Sequence, residues 1–167
     1  KKDIIKLCEK HQDCAFHCFT NGTLIDEEFC KDMLRVGNFM PSISIERFEN
    51  EDDGRRGDGH FEKVMHAMDL LKKYKLLFGT SICYTSKNYK TVTSDEFLDM
   101  IIDKGVRYTW YFHYMPVGNE ASTDLLLTPE QREYMYHRVR EIRGWEGGKE
   151  IFAIDFQNDG EFVSGCV

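Results

Sequence analysis

The sequence has no long hydrophobic run; its wholly apolar stretches are only a few residues long, so none of them can form a helix that crosses a bilayer. It has only three prolines, each in a punctuating position, which excludes a Pro-rich linker. An excess of basic charge is also missing. Lys and Arg number 22 against 29 Asp and Glu, a net charge of −7, so the footprint that non-specific nucleic-acid binding requires is absent. There is no internal repeat and no low-complexity tract. No P-loop, G-x-S-x-G or H-E-x-x-H motif occurs, and Gly54–Gly59 follows no G-x-G-x-x-G pattern. Neither an initiator Met nor a signal peptide stands at the start. The chain opens Lys1-Lys2-Asp3-Ile4-Ile5 in mid-helix character, which reads as a piece of a longer protein. What remains is an ordinary globular composition, 41% hydrophobic and 31% charged over 167 residues. That length fits one domain.

Six cysteines stand at positions 8, 14, 18, 30, 83 and 166. An even count points to a disulfide framework only in a short secreted chain. Here the first five fall in apolar periodic segments, where free Cys behaves as a small buried hydrophobe, and a reduced, cytoplasmic setting is expected. Asn21-Gly22-Thr23 is formally a glycosylation sequon but reads as a tight turn. Arg56-Gly57-Asp58 is taken as part of a loop.

Strand and helix patterns alternate along the chain. Cys14–Thr20 is short and aromatic and ends in the Asn21-Gly22 turn, as a strand does. Asp26 can cap a helix carrying Phe29, Met33 and Val36, stopped by Gly37. Phe39–Glu46 alternates around Ile43 and Ile45. After a polar loop over Glu49–Gly59, Phe61, Val64, Met65, Met68 and Leu71 keep helical spacing. Leu76–Tyr84 reads as the third strand. Thr93-Ser94-Asp95-Glu96 reads as a capping box opening a helix that Gly105 closes. In a fourth strand, Arg107–Tyr114, the residues Tyr108, Trp110, Phe112 and Tyr114 share one face. Thr128-Pro129-Glu130-Gln131 is a second capping box, with proline at the first helical position. A fifth strand is expected over Ile151–Phe156. The fold class is therefore α/β, a parallel sheet of β-α repeats whose chemistry gathers at the carboxyl ends of the strands.

Residue chemistry alone names no reaction. Cys14 and Cys18, with His11 and His17 nearby, suggest a metal pair. On one strand, however, they would lie about 13 Å apart, too far for a single ion with bonds of about 2.3 Å. Asp155, Gln157 and Asp159 before Gly160 imitate alternate calcium ligands, but Cys166 stands where a bidentate Glu is needed, and the segment reads as a solvated loop.

The order of a few segments says more. Phe19-Thr20-Asn21-Gly22-Thr23-Leu24-Ile25-Asp26 is followed by Pro41-Ser42-Ile43-Ser44-Ile45-Glu46, then by Arg55-Arg56-Gly57-Asp58-Gly59-His60-Phe61-Glu62-Lys63-Val64. Tyr114-Met115-Pro116-Val117-Gly118 comes last. Together they resemble the later strands of the radical S-adenosylmethionine enzymes, in the branch that modifies peptides and proteins. The resemblance implies an incomplete (β/α)6 barrel over residues 1–150 and the start of a C-terminal auxiliary segment over residues 151–167. It implies two cofactors, S-adenosylmethionine and an iron–sulfur cluster that reductively cleaves it to a 5′-deoxyadenosyl radical. The implied partner is a peptide or protein substrate, with no nucleic acid and no membrane.

The family's Cys-x-x-x-Cys-x-x-Cys loop does not occur here. Cys14 and Cys18 have the first spacing, but Asn21 stands at the third position and the strand is the wrong one. A chain without that loop is expected to be inert alone, and to expose an apolar sheet edge at Cys14–Thr20 that favours dimerisation. Carried over residue by residue, Ser44, paired with Glu46, matches a contact to the cofactor's carboxylate or ribose. Arg56 matches a cation that pairs with that carboxylate, and Ser81 a polar residue facing the cofactor. Met115, Pro116 and Val117 match the segment packed on adenine. Arg47 departs from the family, which commonly has Gly there. Cys166, after Ser164-Gly165, resembles the first ligand of an auxiliary cluster. Beside these stand plainer readings. Ser44 can bond its own backbone, Arg56 can be a surface cation near Asp52 and Asp53, Cys166 can be a stray thiol, and the whole can be an α/β interaction module without cofactor.

Overall fold

A computed structural model describes residues 1–45, 59–118, 122–144 and 146–160. Helix α1 (Lys2–Lys10) leads into five strands, β1 (Phe16–Thr20), β2 (Phe39–Ser44), β3 (Gly79–Tyr84), β4 (Tyr108–His113) and β5 (Phe152–Asp155). Between them run α2 (Glu27–Val36), α3 (His60–Lys73), α4 (Asp95–Asp103) and α5 (Pro129–Ile142). The strands form one wholly parallel sheet in sequence order, β1-β2-β3-β4-β5, as the alternation predicts. A parallel neighbour can be reached only by a crossover, and the intervening helices supply it.

Local chemistry sets most helix ends. Asp26 accepts the Phe29 N–H at 2.9 Å, and Gly37 ends α2 in the left-handed conformation, φ 72°, which costs glycine nothing. At α5 the box is complete: Thr128 Oγ1 accepts from Gln131 N at 3.3 Å, and Gln131 Oε1 accepts from Thr128 N at 3.0 Å. The box expected at Thr93 does not form. Ser94 is the cap, accepting from Phe97 N at 3.2 Å. Thr93 belongs instead to a short 3-10 turn, Thr91–Thr93, where its buried hydroxyl donates to the Tyr89 carbonyl at 2.7 Å. Likewise Cys14 precedes β1 rather than opening it. Its N–H closes a turn on His11, and the Asn38 amide clamps the carbonyls of Cys8, His11 and Cys14 at 3.0–3.1 Å. Cys14 is consequently exposed, and Cys18 and Cys83 are half-buried, so burial accounts only for Cys8 and Cys30.

Strand register divides the sheet into two chemically distinct faces. Ile43, Thr80, Thr109 and Ala153 are aligned across four strands and are fully buried. With Ile82, Tyr84 and Tyr111 they join Met33, Met68, Leu71, Phe97, Leu98, Met135 and Val139 of the helices in one core. The opposite face carries Ser42, Gly79, Tyr108 and Phe152 in one row, then Ser44, Ser81, Trp110 and Ile154 in the next. This face is concave. Three strand spacings of a flat sheet would separate β1 from β4 by roughly 14 Å. Yet the Phe19 ring lies 6.5 Å from Trp110 and 5.6 Å from Phe112.

At the end of β5 the segment expected to be a solvated loop is a buried ionic knot. Asp155 and Asp159 are 0% and 1% exposed. Tyr84 Oη donates to Asp155 at 2.8 Å, and Asn158 Nδ2 donates to the same oxygen at 2.8 Å. Arg143 grips both oxygens of Asp159 at 2.7 and 2.8 Å, and Arg140 adds a contact at 2.9 Å. Burial pushes the Asp155 carboxyl up despite its hydrogen bonds. Burial is the largest single influence on the Asp159 carboxylate and works against it, but the bonds from Arg143 and the Asp155 backbone, with the charges of Arg143 and Arg140, together hold that carboxyl below its usual range. A buried anion is tolerable only when paired and fully hydrogen-bonded, and the two arginines supply that pairing where a calcium loop would need a metal.

Gly79 marks a close approach on the concave face. A Cβ there would stand 2.2 Å from the Tyr108 ring, which crosses Gly79 to reach Ser42 and the Pro41 carbonyl. Gly79→Ala is expected to destabilise the fold by about 1–3 kcal/mol through overpacking. A lowered urea midpoint with an unchanged slope is the expected reading.

Candidate functional site

The carboxyl ends of β2, β3 and β4 converge at one rim of the concave face. Ser44 and Ser81 are register partners there, one strand spacing of about 4.8 Å apart, both half-buried and both facing the concavity. The Ile45 N–H donates to the Ser81 carbonyl at 3.1 Å, which fixes the end of β2 against β3 just beyond Ser44. The structure therefore brings two of the expected hydroxyls side by side.

Met115, Pro116 and Val117 leave the next strand at the same rim. Met115 is 58% exposed and Val117 82% exposed, apolar side chains held in water. Their segment is tied at both ends. Tyr114 N donates to the Tyr84 carbonyl at 2.8 Å, and Tyr114 Oη accepts the Ser122 N–H at 3.1 Å. Farther on, the Leu125 carbonyl accepts from Ser86 N at 3.0 Å, the Asp124 carbonyl accepts from Ser86 Oγ at 2.7 Å, and Gln131 Nε2 reaches the Ser86 carbonyl at 3.4 Å. The capping glutamine of α5 thus also anchors the loop after β3. Glu46, Arg47, Arg56 and Cys166 lie outside the described residues.

Below and beside the serines the concave face is aromatic. Trp110 and Phe112 stack with their planes 13° apart, and Phe156 lies 5.3 Å from Phe112. His17 sits among Phe19, Tyr108 and Trp110 with ring centroids at 4.7, 5.7 and 6.1 Å. Its Nε2 is 2.6 Å from Ser42 Oγ. A cleft of about 400 Å³ runs along His17, Met40, Leu77, Tyr108, Trp110, Phe152 and Ile154. The aromatic alternation of β4 is visible in the sequence, but the shelf it builds with Phe19, Phe156 and His17 was not assigned a role there. Only the curl of the sheet brings those three segments together.

Hydroxyl donors beside exposed apolar side chains suit a ligand with one polar, charged end and one flat apolar end, as S-adenosylmethionine has. An iron–sulfur cluster is a different case. Among the described residues no group of three or more His, Cys, Asp or Glu is placed to hold a metal ion. The described residues do not fit a cluster, and no chemistry is derived through one.

Comparison with known proteins agrees with this geometry at the level of fold. No family model matches the chain. Fe-coproporphyrin III synthase of Methanosarcina barkeri is 21% identical over 150 residues, 86% of this chain and 37% of that protein. Among solved structures, Streptococcus suis SuiB superposes with a TM-score of 0.72 at 12% identity, covering 99% of this chain and 39% of SuiB. Native anSMEcpe with bound AdoMet gives 0.67 at 21% identity, covering 91% of this chain and 44% of that one. These structural neighbours are radical S-adenosylmethionine enzymes, solved with AdoMet and in some cases with a peptide bound, and the chain has their partial-barrel fold. It spans well under half the length of each of these relatives.

Desolvation by the surrounding rings lowers the pKa of His17 below the ordinary value of 6.5, and burial, aided by Arg132, lowers that of His113. A folded-state imidazole that resists protonation leaves the unfolded chain to bind the proton first. Stability is then present above about pH 6.5 and lost as pH falls through that value toward the folded pKa values. Urea unfolding between pH 7.5 and 5.5 should show this loss. His17→Gln should reduce the pH slope, leaving the part due to His113.

Proposed function

We propose that this chain is part of a radical S-adenosylmethionine enzyme that binds its cofactor at the carboxyl ends of β2, β3 and β4 and acts on a peptide or protein. The observation that carries the reading is the Ser44–Ser81 pair in register on the concave rim, beside the exposed Met115–Val117 segment. S-adenosylmethionine, when bound, would supply the radical chemistry. The chain's own residues bind and orient. Ser44, with Glu46 two residues on, offers a hydroxyl to the cofactor's carboxylate or ribose, and Ser81 a second. Arg56 supplies a guanidinium for the carboxylate, a charge-assisted bond that fixes orientation as well as affinity. Met115, Pro116 and Val117 give adenine an apolar bed, which removes their side chains from water.

A peptide partner is supported by neighbours solved with peptides, anSMEcpe with Kp18Cys and SuiB with its precursor SuiA. The cluster cysteines are not among these 167 residues, so this chain by itself is expected to cleave no cofactor. The free side of β1, where Phe19 is 49% exposed, is the edge through which we expect it to associate with another strand.

In the full-length protein, Ser44→Ala and Arg56→Ala should each weaken S-adenosylmethionine binding roughly ten- to a hundredfold, the loss of a hydrogen bond to a charged group. Calorimetric titration checks this. Unchanged affinity in both variants would return Ser44 and Arg56 to the plainer readings, a strand-end hydroxyl bonding its own backbone and a surface cation. Cys166→Ala should lower iron per chain while the signal of the catalytic cluster persists, which identifies Cys166 as an auxiliary ligand. Equal iron in wild type and variant would remove it from that role.

A further inference from the structure

We propose that the stacked rings of Trp110 and Phe112, flanked by Phe19 and Phe156, form the shelf that takes an apolar or aromatic side chain of the peptide substrate. The inference rests on the cofactor reading above and extends it to substrate class. Three observations converge on it. The first is placement: Trp110 follows Ser81 in the same register row as Ser44, so the shelf begins one strand from the hydroxyl pair.

The second is shape. The ring planes of Trp110 and Phe112 are nearly parallel, 13° apart with centroids 6.2 Å apart, and both rings are half-buried, while Phe19 stands edge-on to both at 83°. Phe156 is tilted 38° to Phe112 on the other side. Parallel rings with an edge-on neighbour leave ring edges and faces for the offset-stacked and edge-to-face contacts that a further ring prefers, and they offer aliphatic side chains an apolar surface.

The third is polarity. Among the described residues Trp110 Nε1 has no hydrogen-bond partner, which leaves a donor beside otherwise apolar rings. A peptide supplies a backbone carbonyl for such a donor next to each side chain. The described residues of this face are neutral or apolar: Ser42, Ser44, Gly79, Ser81 and Cys83 alternate with the rings, and His17 has its pKa lowered away from the charged form. Such a surface complements an uncharged side chain. Among the described residues of this face none offers a cation to a polycarboxylate such as a coproporphyrin.

The sequence has two tryptophans, so the indole N–H resonances of the labelled chain can be assigned with a single Trp110→Phe variant. The probes are five-residue capped peptides, glycine on both sides of a central Phe, Leu, Lys or Glu, and coproporphyrin III in parallel. The Phe and Leu peptides should shift the Trp110 indole signal, and the Lys and Glu peptides should bind at least about tenfold more weakly. Phe112→Leu, which keeps an apolar floor but removes the ring, should weaken the Phe peptide about threefold or more and spare the Leu peptide, with an unchanged circular dichroism spectrum. Equal response to all four peptides, or a response to coproporphyrin III alone, would overturn the assignment. S-adenosylmethionine titrated into the full-length protein is a separate readout. If it binds while the Phe and Leu peptides leave Trp110 unmoved, the shelf is wrong and the cofactor site stands. If the peptides respond and the cofactor does not bind, the shelf stands and the cofactor site is wrong.

Discussion

Every functional feature of this chain depends on strand register. Side chains on a strand alternate with a strict period of two, so a slip of one residue exchanges the two faces of the sheet. In β2 the alternation places Ile43 in the core and Ser44 on the rim; in β3 it places Ile82 in the core and Ser81 beside Ser44. A slipped β3 would bury a serine hydroxyl among the helices and present an isoleucine at the concave rim. The penalty for that exchange, the burial of an unpaired hydroxyl added to the exposure of a large aliphatic chain, is what holds the rim in place. Core packing and site geometry are one constraint seen from two sides.

The covered face has polar demands of its own, and they also serve position. Thr80 and Thr109 satisfy one another at 2.9 Å within the core. Tyr84 spans from β3 to Asp155 on β5, crossing beneath β4, and Tyr111 of β4 donates to the Val92 carbonyl at 2.8 Å. The Tyr84–Asp155 bond joins two strands that the ladder links only through β4. Breaking any of these bonds leaves a buried polar group unpaired, which costs more than the bond itself contributes. The Asp159–Arg143 pair then fastens the last strand to α5, the helix whose capping residue Gln131 holds the loop after β3.

Much of the architecture was legible from local signals, and the exceptions share a cause. Asp26, Gly37 and the Thr128 box act through neighbours a few residues away, and each behaves as its sequence predicts. Thr93 has the same local pattern, yet its hydroxyl is drawn to Tyr89 by the 3-10 turn before it. Cys14 looks like strand until Asn38, 24 residues later, claims its carbonyl. Asp155 and Asp159 read as solvated because Arg140 and Arg143 are distant enough in sequence to carry no local signal. Ser44 and Ser81 were found separately through the family resemblance. That they are register partners, with Trp110 next in the row, follows only from the folded sheet.

The distribution of charge completes the picture. The net charge is −7, and apart from the buried Asp159 pairs several of the described ion pairs lie on the helical exterior and join successive helices. Glu27 of α2 meets Lys73 of α3 at 2.5 Å, Asp69 of α3 meets Lys104 just past α4 at 2.8 Å, and Asp95 of α4 meets Arg138 of α5 at 2.7 Å. Exposed pairs of this kind contribute only about 0.2–1 kcal/mol each, too little to account for the stability of the fold. Their regular placement matters more than their strength. Each spans the gap between neighbouring helices on the convex side of a curled sheet, so each favours one spacing of the helix layer and hence one curvature of the strands beneath. That curvature brings Phe19 of β1 within ring contact of Trp110 and Phe112 on β4, and so the exterior charges bear on the neutral shelf inside.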